Sequence, residues 1–173
     1  MAEMPVGPDA LPGPPRDGVG FSVRRATAAD ATAVASLIRD AFATEVPTYG
    51  SDLPPLAETP QIVADALGRG VVRVAEEGDR ILGSVRGELA EDGSCLVGRL
   101  VVLPEARRAG IARALAVEIE RQFPDATRFE LFTGHLSTAA LALYESLGYQ
   151  RFREERVSPT TVLVYLEKLQ ECS

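Results

Sequence analysis

Residues 99–123 read RLVVLPEARRAGIARALAVEIERQF, and this stretch decides the fold of the chain. Residues 100–103 are apolar without alternation, which is typical of a strand buried on both faces of a sheet, and Pro104 ends that strand. After a short basic turn, apolar side chains recur at every fourth position, which predicts an amphipathic helix. The apolar positions of this helix are Ile111, Leu115, Ile119 and Phe123.

The predicted helix begins without a side chain that could cap it. Ser, Thr, Asp or Asn normally stands at a helix start, because the first four N–H groups there lack partners and the dipole is positive. This start instead reads Arg107, Arg108, Ala109, Gly110, Ile111, Ala112 and Arg113. Several donors and two guanidinium groups therefore converge beside small residues, which favours an external anion, above all a phosphate. A basic turn solvated by water is the alternative. The Lys-Ser/Thr ending of a P-loop and the three-glycine dinucleotide fingerprint are absent.

Length and composition indicate a soluble globular chain. At 173 residues, 46% of them hydrophobic, it has room for one domain with a real core. The net charge of −7 argues against nucleic acid as a partner, since such proteins need a basic face. No signal peptide or apolar run of about 20 residues is visible, so we expect no membrane partner and a cytoplasmic location. Cys95 and Cys172 predict two free thiols rather than a disulfide framework or a metal site.

The remaining chain predicts one domain preceded by a tail. Residues 1–20 are dense in Pro and Gly and predict a flexible tail, and residues 21–173 form the domain. Its elements are predicted in the order β, α, α, three β, α, β, α, β, β. Residues 44–58 contain three prolines and no period, which predicts a loop that could cover a substrate. The strand, helix and strand around the opening stretch predict one parallel pair, with a cofactor where those strands part.

A second pattern lies at residues 137–149, STAALALYESLGY. Taken alone, it predicts an amphipathic core helix closed by Gly148 in a left-handed cap. Together with VVLPEARRAGIARAL, however, it resembles the two motifs of the GCN5-related N-acetyltransferases (GNAT). The first motif is Arg/Gln-x-x-Gly-x-Gly/Ala after a strand that ends Val-x-Pro. The second is Asn-x-x-Ala-x-x-Leu-Tyr-x-x-Leu-Gly-Phe/Tyr, with Ser137 here at the Asn position and Tyr144 at the Tyr position.

The resemblance covers about residues 21–168 and implies a fold and a donor. The implied fold is the α/β (α+β) acyl-CoA N-acyltransferase fold, with six to seven mostly antiparallel strands and helices on both faces. The implied co-substrate is acetyl-CoA, without a metal. Its pantetheine arm would contact Leu100, Val101, Val102 and Ser137, and residues 107–113 would hold its pyrophosphate. Tyr144 would protonate the departing thiolate, since a phenol with a pKa of about 10 keeps its proton at neutral pH.

Acetyl transfer to an amine also needs a base. A lysine-like amine is neutral in only about one molecule in 10³ at pH 7.4. The family often places a glutamate on the strand before the first motif, but residues 94–103 contain no acid. The candidates are Glu88 at the end of the preceding strand, Glu45 and Asp52 in the loop, His135 after a strand end, and a bound-water relay. Each of the three carboxylates is expected on the solvated surface.

We therefore expect an N-acetyltransferase that moves acetyl from acetyl-CoA to a primary amine of a small molecule or peptide. The alternative is a non-catalytic acyl-CoA-binding or protein-interaction module on the same fold, favoured by the missing strand acid and by Ser137. A homodimer is compatible with the fold.

Overall fold

The computed structural model describes residues 20–171. The predicted tail, apart from Gly20, and Cys172 lie outside the described residues. The described strands are β1 (Ser22–Arg25), β2 (Val71–Glu77), β3 (Arg80–Leu89), β4 (Cys95–Val102), β5 (Arg128–Gly134), β6 (Gln150–Ser158) and β7 (Thr161–Leu169). The described α-helices are α1 (Ala31–Ala43), α2 (Val46–Tyr49), α3 (Pro60–Arg69), α4 (Ile111–Arg121) and α5 (Thr138–Ser146).

The strands form one sheet in the order β1-β2-β3-β4-β5-β7-β6. Every neighbouring pair is antiparallel except β4 and β5, which are parallel and joined through α4. β4 and β5 are paired only at Cys95–Phe129 and Leu96–Glu130, and beyond these positions they separate. We call the gap between them the wedge. The predicted mixed sheet with one parallel pair that parts is confirmed.

Helices cover both faces of the sheet, as predicted. α4 buries the predicted stripe of Ile111, Leu115 and Ile119 in a core cluster that it shares with β3, β4 and α5. Gly83 of β3 allows this close approach, because a Cβ there would lie 3.1 Å from Leu115 and 3.2 Å from Ile111. α1 and α3 pack on the opposite face, against Val72, Val74 and Val101.

The segment of residues 44–58 differs from its prediction. It contains α2 and a 3₁₀ turn at Pro54–Ala57 rather than loop alone. A proline in the first turn starts each of these elements, where the missing N–H costs nothing. Both are only four residues long, too short for a helical period to appear in the sequence. Thr59 caps α3, since its hydroxyl accepts the Ile62 N–H at 3.2 Å.

Three further findings concern residues 20–171. No helix among them is long and apolar enough to cross a membrane. No three His, Cys, Asp or Glu side chains in this part of the chain are grouped so that they could hold a metal ion. Cys95 is a buried free thiol, and burial raises its pKa to about 12, which leaves little reactive thiolate at neutral pH.

Candidate functional site

The start of α4 has the uncapped geometry that the sequence predicts. Gly110 is its N-cap residue in a left-handed conformation, φ +82°, which glycine adopts without the strain of a side chain. The first hydrogen bond of the helix runs from the Ala114 N–H to the Gly110 carbonyl, at 3.0 Å. Within residues 20–171, no acceptor faces the N–H groups of Ile111, Ala112 and Arg113. These N–H groups are therefore open to a ligand.

This helix start lies at the open end of the wedge. One 3₁₀ turn, Pro104–Ala106, separates it from the end of β4, where β5 has already moved away. The fold thus brings the predicted residues Leu100, Val101 and Val102 and the segment 107–113 to one edge. The Arg113 guanidinium donates to Ser146 Oγ at 2.7 Å and ties α4 to α5. An extended anionic ligand could lie along β4 and end at α4.

Tyr49 of α2 lies at the C-terminal end of β5. Its hydroxyl lies 2.7 Å from Ser137 Oγ and accepts the Leu136 N–H at 2.9 Å. Its ring packs over Gly134, where a Cβ would come within 2.3 Å of the tyrosine Cζ. Ser137, a predicted cofactor residue, is thus buried and already hydrogen-bonded. Sequence reasoning did not assign Tyr49 a role, and its aromatic ring in a proline-rich segment was the one available signal.

Glu45 precedes α2 and is buried, with 6% of its surface exposed. The expectation that it lies on the solvated surface is wrong, because α2 folds it inward. Burial raises the pKa of its carboxyl, and the nearby Arg107 guanidinium opposes that shift. Glu45 therefore lies close to the first arginine of the predicted anion site.

The other two carboxylate candidates, the exposed Asp52 and the half-buried Glu88, both reach solvent. Asp52 lies on the surface. Glu88 is paired with Leu96 across β3 and β4, at the closed end of the wedge, and its carboxylate lies 3.5 Å from Arg69 Nε. Together with Arg86 and Gly98, Glu88 lines a small cavity of about 50 Å³ beneath α3. Glu88 and Glu45 are thus at opposite ends of the wedge.

Tyr144 is fully buried in the core cluster that also contains Leu100 and Val102. Its ring meets the Tyr149 ring edge to face, with centroids 5.9 Å apart. Burial raises the pKa of the Tyr144 phenol well above its usual value. The phenol therefore stays protonated at neutral pH, as a general acid requires. Because Tyr144 is buried, the group that takes its proton must reach it inside the protein.

His135 follows β5 beside Tyr49, with ring centroids 6.2 Å apart. Its Nδ1 lies 3.1 Å from the Val162 nitrogen and 3.2 Å from the Val162 carbonyl oxygen, and its backbone N–H donates to that oxygen at 2.8 Å. The histidine thus braces the loop against β7.

Glu58 is a buried acid that the sequence reasoning did not identify as a site residue. Only 2% of its surface is exposed, and its carboxylate contacts two arginines of the sheet, Arg86 at 2.5 Å and Arg99 at 3.3 Å. β4 carries no acid of its own, yet the connection between α1 and α3 brings this one against it. Its position before the Thr59 cap carries no sequence signal of burial.

Residues 68–151 of the chain match the family model of the acetyltransferase (GNAT) domain. No curated protein sequence matches the chain significantly.

Solved structures resemble the whole described fold. PaiA N-acetyltransferase from Thermoplasma acidophilum, in complex with coenzyme A, has a TM-score of 0.74 at 12% identity and covers 88% of this chain and 100% of its own. The ribosomal-protein-S18-alanine N-acetyltransferase from Escherichia coli has a TM-score of 0.74 at 17% identity, with coverages of 89% and 96%. YncA from Salmonella typhimurium, with its cofactor acetyl-CoA, has a TM-score of 0.70 at 15% identity, with coverages of 90% and 97%. At these identities the likeness shows the fold, and it confirms the predicted GNAT fold.

Glu45 makes the free energy of unfolding depend on pH. Because burial raises its folded-state pKa, the stability linked to this group is full below the ordinary value of 4.5 and is lost as the pH rises through the raised value. We expect Glu45→Gln to be more stable than the wild type at about pH 7 and to lose that advantage at about pH 4, as measured by urea unfolding.

Glu154→Gln is the matched control, since it removes the same charge from the exposed strand β6. A stability difference for Glu45→Gln that is the same at both pH values would contradict the buried-carboxylate interpretation.

Proposed function

We propose that this chain, whose residues 68–151 match the GNAT acetyltransferase domain model, transfers acetyl from acetyl-CoA directly to a primary amine of a small molecule or peptide. The observation that carries the proposal is the wedge between β4 and β5 with the uncapped start of α4 at its open end. Open N–H groups beside Arg107 and Arg108 suit a diphosphate, and an unpaired strand edge suits an amide-containing arm. Two structural neighbours were solved with coenzyme A or acetyl-CoA, which supports this choice of donor.

In this proposal the residues along the wedge hold the donor. Backbone groups of Leu100, Val101 and Val102 pair with the pantetheine arm as a missing strand would, because β4 has no β5 partner there. The Ser137 hydroxyl contributes one further hydrogen bond once Tyr49 releases it. Residues 107–113 hold the pyrophosphate with backbone N–H groups and guanidinium donors. The thioester then lies toward the closed end of the wedge.

The proposed chemistry removes two protons from a charged primary amine, one before attack and one to solvent as the amide forms, and it supplies one proton to the thiolate. The acceptor must lose a proton before its nitrogen attacks the thioester carbonyl, which costs about 4 kcal/mol at neutral pH for a lysine-like amine. We assign this step to Glu88, directly or through water, since its exposed pairing with Arg69 holds it only weakly. Tyr144 supplies the proton that the departing thiolate needs, and its raised pKa keeps that proton available.

The first test is the release of CoA thiol from acetyl-CoA across a panel of primary amines. We expect turnover above the hydrolysis background with at least one amine. Turnover with none of them, together with retained CoA affinity, would leave a non-catalytic acyl-CoA-binding module.

Donor binding is tested by Arg107→Ala combined with Gly110→Glu. Loss of a charge-assisted contact and insertion of a negative charge should weaken CoA binding by at least about tenfold in calorimetry. The matched control is Arg121→Ala with Gly78→Glu, which alters an exposed arginine and a turn glycine of φ +59° away from the wedge. Equal CoA affinity in both double variants would exclude the α4 start as the phosphate site.

The acid is tested by Tyr144→Phe. Loss of the donated proton should lower kcat by about 10²-fold while the KM for acetyl-CoA changes little. Tyr149→Phe is the control, because it removes the hydroxyl of the neighbouring ring, which donates to Glu120 of α4 rather than to the wedge. Unchanged turnover in Tyr144→Phe would remove this tyrosine from the mechanism.

The base is tested by Glu88→Gln. We expect kcat to fall by at least about tenfold near neutral pH and to recover partly at higher pH, where more of the amine is neutral. Glu91→Gln, which removes a charge from the exposed turn after β3, serves as the control. A pH–rate profile identical to that of the wild type would assign the proton transfer to another group.

A further inference from the structure

β4 contains a bulge at Arg99. Ser84 is paired with Val101 and Arg86 with Gly98, so the one β3 residue between them faces both Arg99 and Leu100. Arg99 has φ +49°, a left-handed conformation that residues with side chains adopt at a cost. Such a bulge shifts the alternation of a strand by one residue.

The bulge sets which side chains and backbone groups face the wedge. Before it, Cys95 and Val97 point into the core cluster under α4, and after it Leu100 and Val102 do so. The step from Val97 to Leu100 is three residues rather than two, which is the phase change that the bulge produces. Without it, the backbone groups of residues 100–102 would change the side toward which they point.

Glu58 holds the strained residue from outside the strand. Its Oε2 accepts Arg99 Nε at 3.3 Å and its Oε1 accepts Arg86 Nη1 at 2.5 Å, so it bridges β4 to β3 at the bulge. Its own backbone is anchored as well, because Arg39 Nη1 of α1 donates to the Glu58 carbonyl at 2.6 Å. Both Glu58 and Arg99 are buried, with 2% and 8% of their surfaces exposed.

We propose that Glu58 is a positioning residue that keeps Arg99 in its left-handed conformation and thereby presents the backbone of residues 100–102 to the donor. This proposal rests on the proposed function for its readout by turnover. Glu58 does not act as the base, because both of its oxygens are engaged by guanidinium donors rather than directed at a substrate proton.

The test uses the special freedom of glycine. Glu58→Gln removes the charge that holds Arg99, and we expect kcat/KM for acetyl-CoA to fall by about tenfold or more. Adding Arg99→Gly should bring kcat/KM back to within about threefold of the wild type, because glycine adopts a positive φ without an anchor. Adding Arg99→Lys instead should bring no recovery, since that residue keeps its Cβ and the strain.

The comparison of Gly with Lys at position 99 remains decisive if Glu58→Gln alone fails to fold. If only Arg99→Gly restores folding and turnover, the positioning role of Glu58 is supported. If the two double variants behave equally, that role is excluded. A Glu58→Gln protein with wild-type kcat/KM would overturn it as well. The control is Glu76→Gln, which breaks the salt bridge between Glu76 of β2 and Arg24 of β1.

Failure of the proposed function can be recognised separately. If the wild type acetylates no amine, the same four variants are compared by their CoA affinity in calorimetry. We then expect Glu58→Gln, alone or with Arg99→Lys, to bind CoA more weakly than Glu58→Gln with Arg99→Gly and than Glu76→Gln.

Discussion

The separation of β4 from β5 is the constraint on which the rest of the structure depends. The two strands are paired over two residues each. α4 lies against β2, β3 and β4, whereas β5 is bonded along its length to β7. One core cluster nevertheless includes residues of α4, β4, β5 and α5, so the strands diverge without loss of the core. The open edge of β4 follows directly, and so does the position of the α4 start beside it.

Local charge at the wedge differs from the charge of the whole chain. The net charge is −7, yet Arg107 and Arg108 mark the open end, and Arg86 and Arg99 flank the bulge. Two buried carboxylates accompany them, Glu45 near the first pair and Glu58 between the second. Because buried charges need compensation, these pairings fix the connection between α1 and α3 against the sheet. The same connection therefore contacts β4 at the bulge and lies close to the segment that follows its end.

The sequence predicts the parts of this fold whose signals are local. α4 shows its stripe over three turns, its uncapped start is visible residue by residue, and Gly148 marks the end of α5 with φ +98°. The second motif is visible in residues 137–149 themselves, and the parallel pair follows from the order of the elements. These features need no knowledge of distant contacts.

The remaining features depend on contacts between distant parts of the chain. α2 is a single turn without a period, and Tyr49 and Ser137 are 88 residues apart. Glu58 is 41 residues from Arg99, so nothing near it in the sequence indicates an ion pair. The bulge does have a weak local trace, the three-residue step from Val97 to Leu100, but an apolar run without alternation conceals it.

In the proposed donor complex, the donor competes with Tyr49 for the Ser137 hydroxyl. Any ligand that uses the Ser137 hydroxyl has to displace a phenol that is held in place by the Leu136 N–H and by the space above Gly134. A net hydrogen bond of about 1 kcal/mol lowers the apparent affinity by roughly fivefold. By linkage, a donor that displaces Tyr49 from Ser137 would loosen α2 to the same extent, so α2 would be more adaptable with the donor in place.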